Sequence, residues 1–485
     1  SDLGRGTPSG AFLNGPRSLV ATLAAMQRAG YTIAGAPQSE DELLARMQAE
    51  GRNLGVWAQG EIAALVRDHD PVLIPVATYE RWFAQKLSRA NQRKVIAAFG
   101  PPPGELMTHE RDGERFLVIP RIDLGNVILA PQPDRGPNQD EDLVHNTSIP
   151  PPHQYLAFYW WLQEEWKADA IVHFGTHSST ELLPTKATGL SRDDWPDIAV
   201  GAMPLVYPWI LDNLAEAMLA KRRSYATLIG HLVPPIAMVG LAREMKSIHD
   251  DIDRFETLEP GLLREEYRAS ISRQAVEIDL HADIAPEAKE RPFTDEEIEA
   301  LSEYLHRAHN EHTPVTLHVF GQAPERELLA PYVVQIAGND LLEHLEPETP
   351  PLPAGDARTP ARRKAELLRR AEALLQKIVV EGQTDAQALG HAPGPALAQD
   401  LARARDILAK LERTPVEIES FLRALAGRYI LPGPGNDPVR NPSALPTGRN
   451  LYALNPGEIP TRPAWEAGRK LVDQLLARSR EQDGR

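Results

Sequence analysis

Residues 145–186 read HNTSIPPPHQYLAFYWWLQEEWKADAIVHFGTHSSTELLPTK, and this stretch decides the fold. After Pro150-Pro151-Pro152, the segment from His153 to Trp166 reads as an amphipathic, strongly aromatic helix. KAD leads into the apolar strand AIVHF, which carries His173 at its carboxyl end, and a turn at Gly175 presents His177 and Glu181. Helix and strand together make an α/β unit, and ligands of open α/β sheets sit outside the carboxyl ends of strands. Four histidines (145, 153, 173, 177) fall within 33 residues. Imidazole and carboxylate suit a divalent cation without any thiolate, and an unprotonated His or Glu is a competent base. The spacing is not HExxH, so a plainer reading stands beside this one: His173 as a satisfied core histidine and His177 as an exposed loop residue.

Outward from this unit the chain alternates helices with short apolar strands. Residues 17–29 predict a helix ending at Gly30, followed by a strand YTIAG, helices over 40–50 and 60–68, a strand in PVLIPV and a helix in TYERWFAQKLSRAN. FLVIPR (116–121) and NVILA (126–130) read as strands before the Pro-rich loop PQPDRGPNQDED, a boundary or a functional lid. LVYPWILDNLAEAMLAKRR (205–223) reads as one helix, and SYATLIGHL as a second helix or a strand. Residues 241–310 read as polar helices, TLHVFG (316–321) as an isolated strand, and 357–426 as Ala/Leu/Arg-rich helices broken at GHAPGP. The expected fold class is multi-domain α/β: short parallel-type sheets flanked by helices, plus a mostly helical segment and a Pro/Gly-rich C-terminal loop region. Its expected divisions are 1–135 (α/β), 136–330 (α/β core with the His/Glu motif), 331–426 (helical) and 427–485 (Gly/Pro-rich loop and terminal helix).

Composition narrows the chemistry. At roughly 100–200 residues per domain, 485 residues predict two to four domains. There is no cysteine, which excludes disulfides, thiolate metal sites and cysteine nucleophiles. The net charge of −16 argues against a general nucleic-acid partner, which needs a basic surface. No GxxxxGK[ST] phosphate loop occurs, so ATP chemistry must reside elsewhere. With neither a signal peptide nor an apolar run near the ~20 residues a bilayer needs, no membrane span and a cytoplasmic location are expected. An opening without Met and an ending directly after a helix suggest a piece of a longer chain.

Two further features carry candidate chemistry. Lys221, Arg222 and Arg223 close a helix that carries Glu216 one turn earlier. Cations there favour the helix dipole, and they also suit a carboxylate-binding patch. The irregular loop 431–450, LPGPGNDPVRNPSALPTGRN, holds two arginines, and long irregular loops in compact proteins are usually functional or disordered. The aromatic row Tyr155, Phe158, Tyr159, Trp160, Trp161 and Trp166 reads as core, with part of it available to stack on a flat ligand.

Taken in order, LGNVILAPQPDRG (124–136), the block from His145 to Ser191, WPDIAVGAMPLVYPWILDNLAEAMLAKRRSYATLIGHLVPP (195–235), TLHVFGQAP (316–324) and GRYILPGPGNDPVRNPSALPTGRNLYALNPGEIPT (427–461) resemble the large subunit of class I chelatases. That family comprises the CobN-type subunit of cobaltochelatase and the H-type large subunit of magnesium chelatase. The resemblance implies a tetrapyrrole-binding subunit that inserts a divalent metal, with ATP hydrolysed by AAA+ partners alongside an integrin-like chelatase subunit. IPPPHQYLAFY and YPWILDN look closer to the cobalt type, which implies Co2+ and hydrogenobyrinic acid a,c-diamide in cobalamin biosynthesis. Mg2+ with protoporphyrin, or a tetrapyrrole- and metal-binding paralogue without catalysis, are the alternatives. Carried onto this sequence, the resemblance implies Glu181 and His177 as catalytic residues and His173, His177 and Glu181 as metal ligands. It implies His145, His153, Lys186, Lys221, Arg222, Arg223 and Arg449 as substrate contacts. The usual motif is close to H-G-x-L-E-x-x-P-G-K. Here His177, Glu181, Pro184 and Lys186 are kept, while Ser178 and Thr185 stand where the glycines are expected.

Overall fold

A computed structural model describes residues 9–453 apart from 11, 137–145, 147, 176–177, 185, 187, 236–241, 259, 311–316 and 350–358, with a few isolated positions beyond 453. His145, His177 and the stretch 454–464 therefore lie outside the described residues. The chain begins with a hairpin of β1 (Ser9–Gly10) and β2 (Leu13–Asn14), then α1 (Gly15–Arg28), α2 (Glu40–Glu50) and α3 (Gln59–Asp68). Two of these helices start where side chains satisfy orphan N–H groups: Asn14 accepts from Arg17 N–H, and Ser39 from Glu42 N–H. Next come β3 (Val72–Pro75), α4 (Val76–Lys86), α5 (Arg89–Phe99), β4 (Thr108–Arg111) and β5 (Glu114–Ile119). The three strands form a sheet in the order β3-β5-β4 that is wholly antiparallel, where the sequence predicts parallel-type pairing. A small hairpin, β6 (Ile122–Asp123) with β7 (Ile128–Leu129), leads to the Pro-rich loop.

The core follows. Helix α6 (His153–Glu164) precedes β8 (Ile171–Val172), α7 (Trp195–Val200), β9 (Leu205–Ile210), α8 (Leu214–Arg223) and β10 (Thr227–His231). Strands β8, β9 and β10 are parallel, so their carboxyl ends share one edge. The single helix expected over 205–223 is instead a strand, a turn and a helix. All six residues of β9 are buried, and a strand covered on both faces is a continuous apolar run without the alternation that would mark it. Helix α6 also departs from expectation: it is buried from His153 through Leu162 on every side rather than amphipathic. Tyr155, Tyr159, Trp160, Tyr207 and Trp209 are fully buried, Trp160 stacks on Tyr79 of α4 at 5.7 Å, and the same apolar cluster takes in Ile74, Leu117 and Ile119, so α6 joins α4 and the antiparallel sheet to the core. At ~150–250 Å² and ~25 cal/mol/Å², each such ring contributes about 4–6 kcal/mol of gross transfer energy.

Downstream, α9 (Ala242–Thr257), α10 (Leu262–Glu277), α11 (His281–Ile284) and α12 (Asp295–Asn310) pack around their own apolar cluster, which includes Ile248, Phe255, Ile271 and Leu301. A second helical group comprises α13 (Arg326–Ala337), α14 (Asn339–Leu345), α15 (Thr359–Leu375), α16 (Asp385–Leu389), α17 (Pro395–Leu411) and α18 (Val416–Leu425). Of the expected strand at 316–321, His318 makes a single bridge to Leu13. The Gly/Pro region then supplies β11 (Pro432–Pro434) and β12 (Asn450–Tyr452), which complete the core sheet in the order β11-β12-β10-β9-β8. β12 runs antiparallel to β10, and Gly230 N–H donates to Arg449 O while Gly448 N–H donates to Gly230 O. No helix among the described residues is long and apolar enough to cross a membrane.

Candidate functional site

The carboxyl end of β8, beside the middle of β9, carries a buried polar network. His173 directly follows β8, its N–H bonded to Val206 O, and its ring meets Tyr207 edge-on at 5.2 Å. Nε2 of His173 lies 3.3 Å from the Tyr159 hydroxyl. Nδ1 is buried and has no hydrogen-bond partner among the described residues. Burial pushes the imidazole down to about 3, so it is neutral across the physiological range.

Glu181 is fully buried, its carboxylate accepting from Ser178 N–H (3.0 Å), the Thr180 hydroxyl (2.9 Å) and the Tyr207 hydroxyl (3.3 Å). The Ser178 backbone N–H and the Thr180 hydroxyl of the motif's loop thus cap the carboxylate; Ser178 Oγ also lies 2.9 Å from Thr180 Oγ1.

Between His173 and Glu181 stands Gln132, delivered by the Pro-rich loop after β7. Its Oε1 takes Tyr159 OH (3.2 Å) and Ser178 Oγ (3.2 Å), and its Nε2 gives to Tyr155 OH (3.1 Å) and Ser179 Oγ (3.1 Å). The loop is held in turn by Asn53, whose Nδ2 donates to Gln132 O at 2.6 Å, and by Arg135, 2 % exposed, which donates to Ile149 O at 2.8 Å. Burial raises the Tyr155, Tyr159 and Tyr207 hydroxyls above their ordinary value, so all three act as neutral donors and acceptors. Buried hydroxyls must find partners, and a strongly aromatic helix carrying Tyr at 155 and 159 is the one sequence signal that could have located this network.

The other expected residues are distributed rather than gathered. Buried His153 has both ring nitrogens engaged, Nδ1 with Tyr79 OH at 2.8 Å and Nε2 with Gly100 O at 3.0 Å. Lys186 is more than half exposed and pairs with Asp194 at 3.1 Å. Lys221, Arg222 and Arg223 do not form one patch. Lys221 donates to Asn450 Oδ1 and is pushed down to about 8 by burial, Arg222 is exposed, and buried Arg223 donates to Leu183 O beside the motif. Arg449 donates to Leu445 O at 3.1 Å and lays its stem over Gly433, where a Cβ would collide with its Cδ. Among the described residues, no three His, Asp or Glu side chains come together in a metal-holding group.

A family model described as CobN/Magnesium Chelatase matches residues 4–485. The chain belongs to the CobN/magnesium chelatase family. It is 28% identical to the magnesium-chelatase subunit ChlH of Oryza sativa subsp. japonica over 98% of its length and 36% of that protein's. It is also 28% identical to the aerobic cobaltochelatase subunit CobN of Sinorhizobium sp, over 98% of its length and 40% of that protein's. The solved catalytic subunit of cobaltochelatase from Mycobacterium tuberculosis aligns with a TM-score of 0.65 at 30% identity, over 98% of this chain and 41% of that one. This chelatase-family chain therefore spans about two fifths of the length of the relatives it matches. The mixed α/β architecture is shared with that solved subunit.

Proposed function

We propose that this chain is the tetrapyrrole-handling part of a metal-inserting chelatase subunit, and that the metal is Co2+ and the ring a corrin precursor such as hydrogenobyrinic acid a,c-diamide. The observation that carries the reading is the bare, buried Nδ1 of His173 on the same hydrogen-bonded network as Glu181. Insertion displaces inner N–H protons of the ring, one from a corrin, which binds the cation as a monoanion, and two from a porphyrin, so the site needs a nitrogen that can hold a metal loosely and an acceptor for each proton released. A neutral imidazole supplies the first, and it suits cobalt better than magnesium, which prefers oxygen ligands and keeps its waters. Glu181 and His177 take the proton-accepting roles, and His145, His153, Lys186, Lys221, Arg222, Arg223 and Arg449 remain the candidates for contacts to the macrocycle and its acidic side chains. ATP hydrolysis belongs to AAA+ partner subunits, acting with an integrin-like subunit in the cytoplasm.

One observation favours a second reading, a paralogue that binds without catalysing. Thr180, standing where the family motif carries a leucine, donates its hydroxyl to the Glu181 carboxylate, which also accepts the Ser178 backbone N–H, and a carboxylate so engaged is a weaker base. The deciding experiment titrates hydrogenobyrinic acid a,c-diamide and protoporphyrin against the protein, with Co2+ or Mg2+, with and without AAA+ partners and ATP, followed by absorbance. Corrin binding with cobalt insertion only in the complete mixture supports the first reading. Binding that Glu181→Gln leaves unchanged, without insertion, supports the second; failure to bind either ring removes both.

A further inference from the structure

The hydrogen bonds around Gln132 fix where the proton of His173 sits. A carboxamide nitrogen only donates and its oxygen only accepts. Gln132 has four such valences, and all four are used: two N–H groups toward Tyr155 and Ser179, two lone pairs toward Tyr159 and Ser178. Tyr159 has one hydroxyl proton. Committed to Gln132 Oε1, that proton is not available to His173, so Tyr159 turns a lone pair toward Nε2, 3.3 Å away. Nε2 must then carry the hydrogen, and a neutral imidazole has only one.

We infer that Gln132 is a positioning residue that locks His173 as the Nε2–H tautomer, leaving Nδ1 as a bare lone pair presented to a divalent transition-metal cation. The reversed amide would free Tyr159's proton for Nε2 and move the imidazole hydrogen to Nδ1. That nitrogen is buried without a partner among the described residues, and a buried orphan N–H is costly and rarer than an under-used acceptor. The tautomer follows from hydrogen bonds alone; its use for a metal rests on the proposed function above.

The test is nitrogen-15 spectroscopy of the full chain with labelled histidine at neutral pH, His173→Gln assigning the signal. The expected spectrum has an unprotonated Nδ1 and a protonated Nε2, and Gln132→Leu, which frees the Tyr159 proton to compete for Nε2, turns the single tautomer into a mixture with a measurable Nδ1–H fraction. Diamagnetic Zn2+, added alone, should shift Nδ1 and leave Nε2 in place, and Gln132→Leu should weaken that binding about 10–100-fold, the usual cost of losing an outer-shell partner. Should Gln132→Leu fail to fold, Tyr159→Phe, which deletes the acceptor facing Nε2, must disturb the same resonance. A wild-type proton on Nδ1 overturns the inference and leaves the chelatase reading intact. The expected tautomer with no Zn2+ response upholds the positioning role of Gln132 and overturns the metal role of Nδ1.

Discussion

Nε2 of His318 and Oε2 of Glu417 lie 2.8 Å apart, both side chains buried, and they tie the start of α18 to the segment bridged with β2. Glu417 also accepts from Leu232 N–H at 2.9 Å and Gly321 N–H at 2.8 Å, while His231 stacks on His318 at 5.5 Å. Replacing Glu417 by Leu leaves two backbone donors and an imidazole without their acceptor. We expect a loss of about 3–5 kcal/mol in urea unfolding, and a smaller loss for Glu417→Gln. Burial alone would raise this carboxyl, but the two histidines and the Gly321 N–H outweigh it and hold it below its ordinary 4.5. A depressed folded value gives stability that is present above the unfolded value and lost as pH falls through the folded one. Wild type should therefore lose stability on acidification below about pH 4.5 more steeply than Glu417→Gln.

The Tyr79 hydroxyl is the sole described partner of His153 Nδ1, at 2.8 Å. Tyr79→Phe keeps the stacked ring and strands that nitrogen, so the expected cost is about 1–3 kcal/mol by thermal or urea unfolding. A neutral result would mean that α6 is not anchored to α4 through this bond.

Gly448 has φ +78°, and a Cβ there would lie 2.8 Å from the Val416 carbonyl atoms. Gly448→Ala therefore combines backbone strain of ~1–2 kcal/mol with overpacking of ~1–3 kcal/mol. We expect a total loss of about 2–5 kcal/mol, whereas Gly427→Ala, with positive φ but open space around it, should cost only the backbone part.

In the helical group, His344 Nδ1 meets Asp400 Oδ2 at 2.6 Å, and that hydrogen bond raises the imidazole above its ordinary 6.5. A raised folded value gives stability that is complete below the unfolded value and is lost as pH rises through the folded one. The thermal midpoint should fall between about pH 6 and 8 relative to that of His344→Gln, whose profile lacks this contribution. Parallel profiles for the two proteins would show that the pair is inert.

The sequence made the helices legible where caps and 3.6-residue spacing agree, as at 15–28 and 40–50, and it placed His173 at a strand end correctly. It could not separate β9 from α8, because a strand buried on both faces has no period to read. Strands β11 and β12 were hidden in Gly/Pro chemistry that reads as loop. Gln132 was invisible for another reason. Nothing local marks a glutamine whose four partners lie 23 to 47 residues away in the chain, and only the fold reveals that its amide is saturated.

The pairing of β12 with β10 has a consequence for how the protein is made. His173 and Glu181 leave the ribosome some 270 residues before Asn450, and the sheet that carries them stays open at one edge until that strand arrives. At ~5–20 residues per second this interval lasts about 14–54 seconds, and an unpaired parallel edge is prone to aggregation throughout it. The core sheet can therefore close only after most of the described chain has been made, whatever the strength of the contacts within it.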